Sequence, residues 1–388
     1  MLNRIPTAWL QLRYQKVRLI VALAGVIFAV LIVFMQLGIR NALFDSATLF
    51  HESLKGDCFL ISPRSTALIS MESFSQRRLL QTLAFPEVDF VDPIYLGFAQ
   101  WRNPQHRSYW RSIFVIGFDL EHSILDLSEV EENLDSLKTP DVVLFDRDSM
   151  SQFGPIASEF QQQGSVTTEI GFSGNTRKVE VAGLFKLGTS FSADGNLITS
   201  DLNFFRIFNR DQSAIDVGLI KLKPGTNIEQ FTQSLKQYLP SDVEVLSKSE
   251  FIALEKEYWQ SSTSIGFIFS LGVFLGIIVG IVVVYQILYT NISEHLPEYA
   301  TLKAIGYRHK YLLSIVLQQA IFIAILGYIP GFISSILLYE FVKQGTGLPI
   351  SMSVGRATFV LLSTIIMCFV SGLSAVFKLS AADPADVF

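Results

Sequence analysis

Polar and apolar positions along this chain separate into long blocks. Four runs contain no Asp, Glu, Lys or Arg: Leu19 to Ile39, Tyr258 to Ser293, Tyr311 to Tyr339 and Ala357 to Phe377. Even the shortest, 21 residues, covers a hydrocarbon core of roughly 30 Å at a helical rise of about 1.5 Å per residue. The pattern therefore predicts four transmembrane helices. The second run exceeds what a bilayer needs, and its polar start, Tyr258 to Ser264, reads as a stalk leading into a core from Ile265 to Tyr289.

Between the first two runs, residues 40–257 follow a different rhythm. Asp141 to Asp146 (DVVLFD) reads as a buried strand, and Ser165 to Phe172 with Lys178 to Phe185 reads as a hairpin across SGNT. DVGLIKLKPG predicts a strand ending in a turn, Ile228, Phe231, Leu235 and Leu239 mark one face of a helix, and DVEVLS predicts another strand. That strand-helix-strand succession makes the segment a mixed α/β domain and not a pure barrel. Ser249 is the expected cap of a helix through EFIALEKEYW that could continue unbroken into the second span and couple domain to membrane. EVEENLDSLK (129–138) reads as a solvated surface helix or loop.

The fold class is thus a four-span α-helical membrane protein, with a large mixed α/β extracytoplasmic domain inserted between the first and second spans. Composition agrees: half the chain is hydrophobic and only 17% is charged. The net charge of -5 says little, because charge is partitioned by side. Arg4, Arg13, Lys16 and Arg18 precede the first span with no acid among them, which places the N-terminus in the cytoplasm. Residues 1–18, with Trp9, Leu10, Leu12 and Tyr14 among those cations, suit either an interfacial helix or a plain basic flank. Four crossings (19–39, 258–293 with its stalk, 311–339, 357–377) then put 40–257 and 340–356 outside, and 294–310 and 378–388 inside. The first apolar run is too long for a signal-peptide core and lacks a cleavage site, so it is expected to stay as an anchor. Cys58 and Cys368 fall in the domain and the fourth span, so no disulfide is expected, and Cys58 reads as an incidental, partly buried residue.

Candidate chemistry is sparse. The chain has no HExxH, paired-Cys, G-x-S-x-G or G-x-x-x-x-G-K-[ST] motif, and its five histidines, His51, His106, His122, His295 and His309, lack ligand spacing. No catalytic, cofactor-binding or metal residue is expected, nor a nucleic-acid partner. No span holds an acid or base, which disfavours an ion-coupled transporter; Gln286, Gln318 and Gln319 read as interhelical hydrogen-bonding groups. Gly272, Gly276 and Gly280 form G-x-x-x-G-x-x-x-G on the second span, where residues four apart share a face and admit another backbone, within the chain or across a dimer. Gly327 and Gly331 repeat that spacing beside Pro330, which is expected to kink the third span.

One charged interlude, SEHLPEYATLKAIGYRHKYL (293–312), separates the second and third spans. Pro297 fits a first helical turn, Glu298 complements the positive helix end, and Gly306 suits the C-terminal cap. Capping alone is equally compatible with a simple connector. Glu298-Tyr299-Ala300-Thr301-Leu302-Lys303-Ala304-Ile305-Gly306-Tyr307, however, resembles the E-I-G-x-L-[KR]-A-[LI]-G-A segment of FtsX/MacB-type (type VII) ABC transporter permeases, which share the order of one span, an exported domain and three spans. HLPEYATLKAIGY, DGNLITSDLNFFRIF, IDVGLIKLKPG and SAADPADVF are similar to the cyanobacterial DevC subgroup. Ala300 and Tyr307 depart from the broader family's Gly and Ala, which leaves the choice of ATPase open.

The resemblance implies a dimeric permease subunit in the inner membrane of a bacterium. Residues 294–307 would be a coupling helix docking on a separate cytoplasmic ABC ATPase (DevA-like) through Glu298, Tyr299, Leu302, Lys303 and Ile305, with Gly306 setting its end. ATP would be bound there, and its work passed on mechanically. A DevB-like membrane-fusion adaptor and a TolC-like outer-membrane channel would complete an efflux path for glycolipid or small hydrophobic cargo. FtsX-like signalling to a partner outside the membrane, or lipoprotein release, are the alternatives that share the architecture.

Overall fold

The structure, a computed structural model, describes residue 14 and residues 16–294, 309–346 and 348–380. Four long helices occupy the apolar runs: Lys16–Ala47, Ser264–Glu294, His309–Thr346 and Val354–Ser380. All four are long and apolar enough to cross a membrane. They group into one compact unit, and Leu43–Thr263 forms the body of a second.

The first long helix is apolar all round, yet its burial is periodic. Ala22, Val26, Ala29, Val30, Val33, Phe34 and Leu37 are buried, a spacing of three and four that places them on one helical stripe. The stripe faces protein and leaves Ile20, Val21 and Phe28 exposed, as a lipid-facing surface requires. Pro330 lies inside a helix that is continuous from His309 to Thr346; its missing N–H leaves the carbonyl of Leu326 without its usual donor.

The α/β unit is built on eleven strands: β1 (Cys58–Ile61), β2 (Phe74–Ser75), β3 (Val88–Arg102), β4 (Trp110–Phe118), β5 (Val142–Asp146), β6 (Val166–Phe172), β7 (Asn175–Phe185), β8 (Asn196–Ser200), β9 (Ala214–Ile215), β10 (Val217–Leu222) and β11 (Glu244–Ser247). Nine of them form one sheet in the order β11-β1-β10-β3-β4-β8-β5-β7-β6, and β2 pairs with β9. The long β3 lets the sheet roll up. Its first half pairs with β10 and its far end meets β6 at Gln100↔Gly171 and Trp101↔Ile170, closing the run from β3 to β6 on itself. Trp101 fills this closure, fully buried, with its indole N–H donating to the Phe153 carbonyl at 3.2 Å.

The SGNT hairpin joins β6 to β7 with Phe172 opposite Asn175. Ser173 and Gly174 both have positive φ, 49° and 86°, the two-residue turn whose twist matches that of the strands. β10, the helix Ile228–Tyr238 and β11 form the expected strand-helix-strand unit. β1, from the other end of the domain's sequence, inserts between the two strands, antiparallel to both. Phe231, Leu235 and Leu239 bury that helix's apolar face; Ile228 at its start stays exposed.

Three expectations are corrected. Ser247, not Ser249, caps the helix Lys248–Glu257: its hydroxyl accepts from Glu250 N–H while the Glu250 carboxylate accepts from Ser247 N–H, because Glu250 stands three residues after Ser247 and completes the capping box. Nor does this helix run unbroken into the second span. It widens into a π turn over Tyr258–Ser262, and Thr263 is extended at φ -113°, ψ 155°. Ser261 and Thr263 hydroxyls donate to the Glu257 and Trp259 carbonyls, each at 2.6 Å, competing with backbone donors for the helical ladder. Cys58 is fully, not partly, buried, with Sγ 3.3 Å from Thr232 Oγ1, and burial pushes its thiol up to about 11, which keeps it protonated and unreactive.

Candidate functional site

Glu298, Tyr299, Leu302, Lys303, Ile305 and Gly306, the expected coupling residues, lie outside the described residues. The helix that leads to them is described. At its end Glu294 forms a bidentate ion pair with Arg18, at the start of the first long helix. One of the cations that set the charge asymmetry of the sequence thus ties the first two long helices together beside the polar segment.

The two glycine stripes converge on the first long helix, with Gly280 also meeting the fourth. A Cβ on Gly272 would stand 2.5 Å from Gln36 Cδ, and one on Gly276 would stand 3.0 Å from Ile32 Cγ2 and 3.2 Å from Val33 Cγ2. Gly280 faces Ala29 and Met367 of the fourth helix. From the third helix, Gly327 meets Val26 Cγ1 at 2.6 Å and Gly331 meets Val30 Cγ1 at 2.8 Å, again for an added Cβ. The second and third helices therefore grip the first on two sides, most tightly at Gly327 and Gly331, where an added Cβ would collide with the β-branched Val26 and Val30. The grip has a further pair of glycines on the first helix, Gly25 against Val283 and Gly38 against Tyr339. Their wider spacing hid them from a search for small residues four apart.

Polar groups within the bundle are spent on holding helices together. Asn291 donates to Gln319 Oε1 at 3.3 Å, Ser371 Oγ to the Ile281 carbonyl at 2.9 Å, and Tyr328 to the Ala357 carbonyl at 2.9 Å. Gln319 is buried, whereas Gln286 and Gln318 are exposed on their helices. The interhelical role expected for the three glutamines is thus seen for Gln319.

Within the α/β unit, the helix Lys248–Glu257 carries a buried polar cluster. Glu255 accepts from Leu68 N–H at 2.7 Å and from Trp259 Nε1 at 2.8 Å, and burial raises its pKa. His51 Nε2 stands 3.8 Å from Glu255 Oε2, both side chains being almost fully buried. Burial pushes the imidazole down to about 3, so it is neutral near pH 7 and this contact is not an ion pair. Neither His51 nitrogen has a hydrogen-bond partner among the described residues; the ring packs edge-on against Phe251 at 4.4 Å. The cluster joins Asp45, Ser46 and the helix Leu49–Ser53 to the last helix of the domain: Lys256 reaches Asp45 at 3.2 Å, and Phe191, whose N–H donates to Ser46, stacks edge-on against Trp259. No group of three or more His, Cys, Asp or Glu able to hold a metal occurs among the described residues.

Two family models match the chain in succession: the MacB-like periplasmic core domain over residues 19–238 and the FtsX-like permease C-terminal over residues 270–384. The first alone spans more than half the chain. The chain belongs to the FtsX/MacB-like permeases of ABC transporters. Among solved structures, this permease is similar to the periplasmic region of MacB from Actinobacillus actinomycetemcomitans, at 13% identity and TM-score 0.33 over 50% of this chain and 91% of that one. It is also similar to the extracellular domain of the noncanonic ABC-type transporter YknZ from Gram-positive bacteria, at 12% identity and TM-score 0.33 over 50% of this chain and all of that one. No curated protein matches the chain.

Proposed function

We propose that this permease is the inner-membrane subunit of a tripartite ABC exporter of the DevC kind. It works as a homodimer with both termini in the cytoplasm and the α/β domain outside. The observation that carries the reading is the order of parts: a MacB-like domain, then FtsX-like spans with a polar segment in the sequence between them, in a chain with no phosphate-binding loop motif. A permease that lacks a phosphate loop needs an external motor, and 294–307 is the polar segment between spans that resembles a coupling helix. A separate DevA-like ATPase would bind ATP and grip there through Glu298, Tyr299, Leu302, Lys303 and Ile305. Closure of the ATPases would reach the α/β domain through the long helices, since the spans provide no charged path for a solute. A DevB-like adaptor and a TolC-like channel would carry glycolipid or another hydrophobic cargo onward.

The test is capture by the full-length protein in detergent. Binding of an adaptor with a long coiled-coil hairpin, encoded beside an ABC ATPase, is the expected result. Capture of a cell-wall hydrolase or a lipoprotein in its place would turn the reading to regulation or to lipoprotein release.

A further inference from the structure

The end of the bundle where the first long helix leaves its apolar run and the fourth begins carries two arginines. Arg40 directly follows the run that closes at Ile39, and Arg356 directly precedes the run that opens at Ala357, so both sit at the depth where hydrocarbon gives way to headgroups. They line one cavity of about 380 Å³, whose walls on the apolar side are Leu37, Val273 and Phe359.

Neither guanidinium has a carboxylate partner among the described residues. Arg40 donates from Nε to Asn41 Oδ1 at a long 3.4 Å, and Arg356 donates from Nη1 to the Ser351 carbonyl at 2.7 Å while lying 5.7 Å from the Tyr339 ring centre. Arg356 Nε is shut off from solvent with no acceptor among the described residues. A guanidinium offers five N–H donors and stays charged at any ordinary pH, so two of them sharing a cavity present a surplus of donors and a mutual repulsion. The start of the fourth helix adds to the same field. Ser353, which lines the cavity, accepts from Arg356 N–H with its hydroxyl and from Ala357 N–H with its carbonyl, so the positive end of a 27-residue helix opens at this point.

We propose that this cavity binds the anionic phosphate headgroup of a membrane lipid, with Arg40 and Arg356 as its two ligands. A phosphate oxygen pair suits the fork of a guanidinium, and its charge offsets the repulsion between the two arginines. The apolar wall decides between a lipid and a free anion: Leu37, Val273 and Phe359 give the first methylenes of an acyl chain a surface that inorganic phosphate cannot use. The site does not depend on whether an ATPase docks on the other elements.

The experiment is native mass spectrometry of the full-length protein exchanged into equimolar phosphatidylglycerol and phosphatidylcholine, with the R40Q/R356Q and R40K/R356K double variants alongside. Wild type and the lysine variant are expected to retain phosphatidylglycerol over phosphatidylcholine, and the glutamine variant to retain about tenfold less of it, the loss of roughly one strong charge-assisted contact. Circular dichroism of each variant checks folding, and R40Q and R356Q singly replace the double variant if it fails to fold. Equal retention by the glutamine variants, or equal retention of the zwitterionic lipid, overturns the proposal. So does displacement of phosphatidylglycerol by inorganic phosphate at matched concentration, which would make the cavity a simple anion site.

Discussion

His51 sits in an environment far from its ordinary chemistry, buried with neither ring nitrogen hydrogen-bonded among the described residues. Its folded pKa is depressed to about 3 by burial, so between the unfolded value near 6.5 and that point the unfolded chain takes up a proton that the folded chain refuses. Its contribution is complete above pH 6.5 and is lost as pH falls, at up to about 1.4 kcal/mol per pH unit. Glu255, raised by the same burial, and Asp92, raised to about 6, act in the opposite sense, because their folded forms hold protons more readily than the unfolded ones. The difference between wild type and H51F isolates the histidine. Urea midpoints of the full-length protein, read through tryptophan fluorescence, are expected to fall more steeply between pH 7 and 5 for wild type than for H51F; parallel curves would contradict the assignment. Gly327 makes a second prediction at this scale. An added methyl meets Val26 Cγ1 at 2.6 Å, so G327A should lower stability by about 1–3 kcal/mol. V26A in the same chain should recover part of that loss in thermal unfolding, since the two residues are in contact.

Among the elements, the break before the second span is the feature that local sequence rules misjudged. EFIALEKEYW is a good helix, and nothing in its pattern stops it; the Gln260-Ser-Ser-Thr-Ser264 stretch does so through hydroxyls that bond backward. With S261A, S262A and T263A combined, the helix is expected to close over 258–263. Hydrogen exchange of those amides should slow by about tenfold or more relative to wild type; unchanged exchange would mean that the break has another cause. Strands β5, β6, β7, β10 and β11 were readable because alternation and β-branched runs are local signals, as in DVVLFD and the β6-β7 hairpin, whereas β3, β4 and β8 went unread. The place of β1 between β10 and β11 was not readable either, since Cys58 pairs with Ile220 and Ser247 across more than 150 residues. Small-residue spacing told which faces of the second and third helices pack closely, but not that both receive the first helix. Arg40 and Arg356 are visible in the sequence as the ends of apolar runs, and only the packing of three helices brings them to one cavity.

At the scale of the whole molecule, the chain divides into a four-helix membrane unit and a mixed α/β unit, with Asn291, Gln319, Tyr328 and Ser371 of the first engaged in helix contacts. On the function proposed above, this permease passes on work that a separate ATPase supplies. The central claim is therefore that an ATPase engages residues 294–307. ATP hydrolysis by the purified ATPase with the full-length permease in nanodiscs tests it most directly, comparing wild type with E298K/K303E. The account predicts that charge reversal weakens association and lowers permease-dependent turnover by about tenfold, of the order of one lost charge-assisted contact. Unchanged association and unchanged turnover would contradict it.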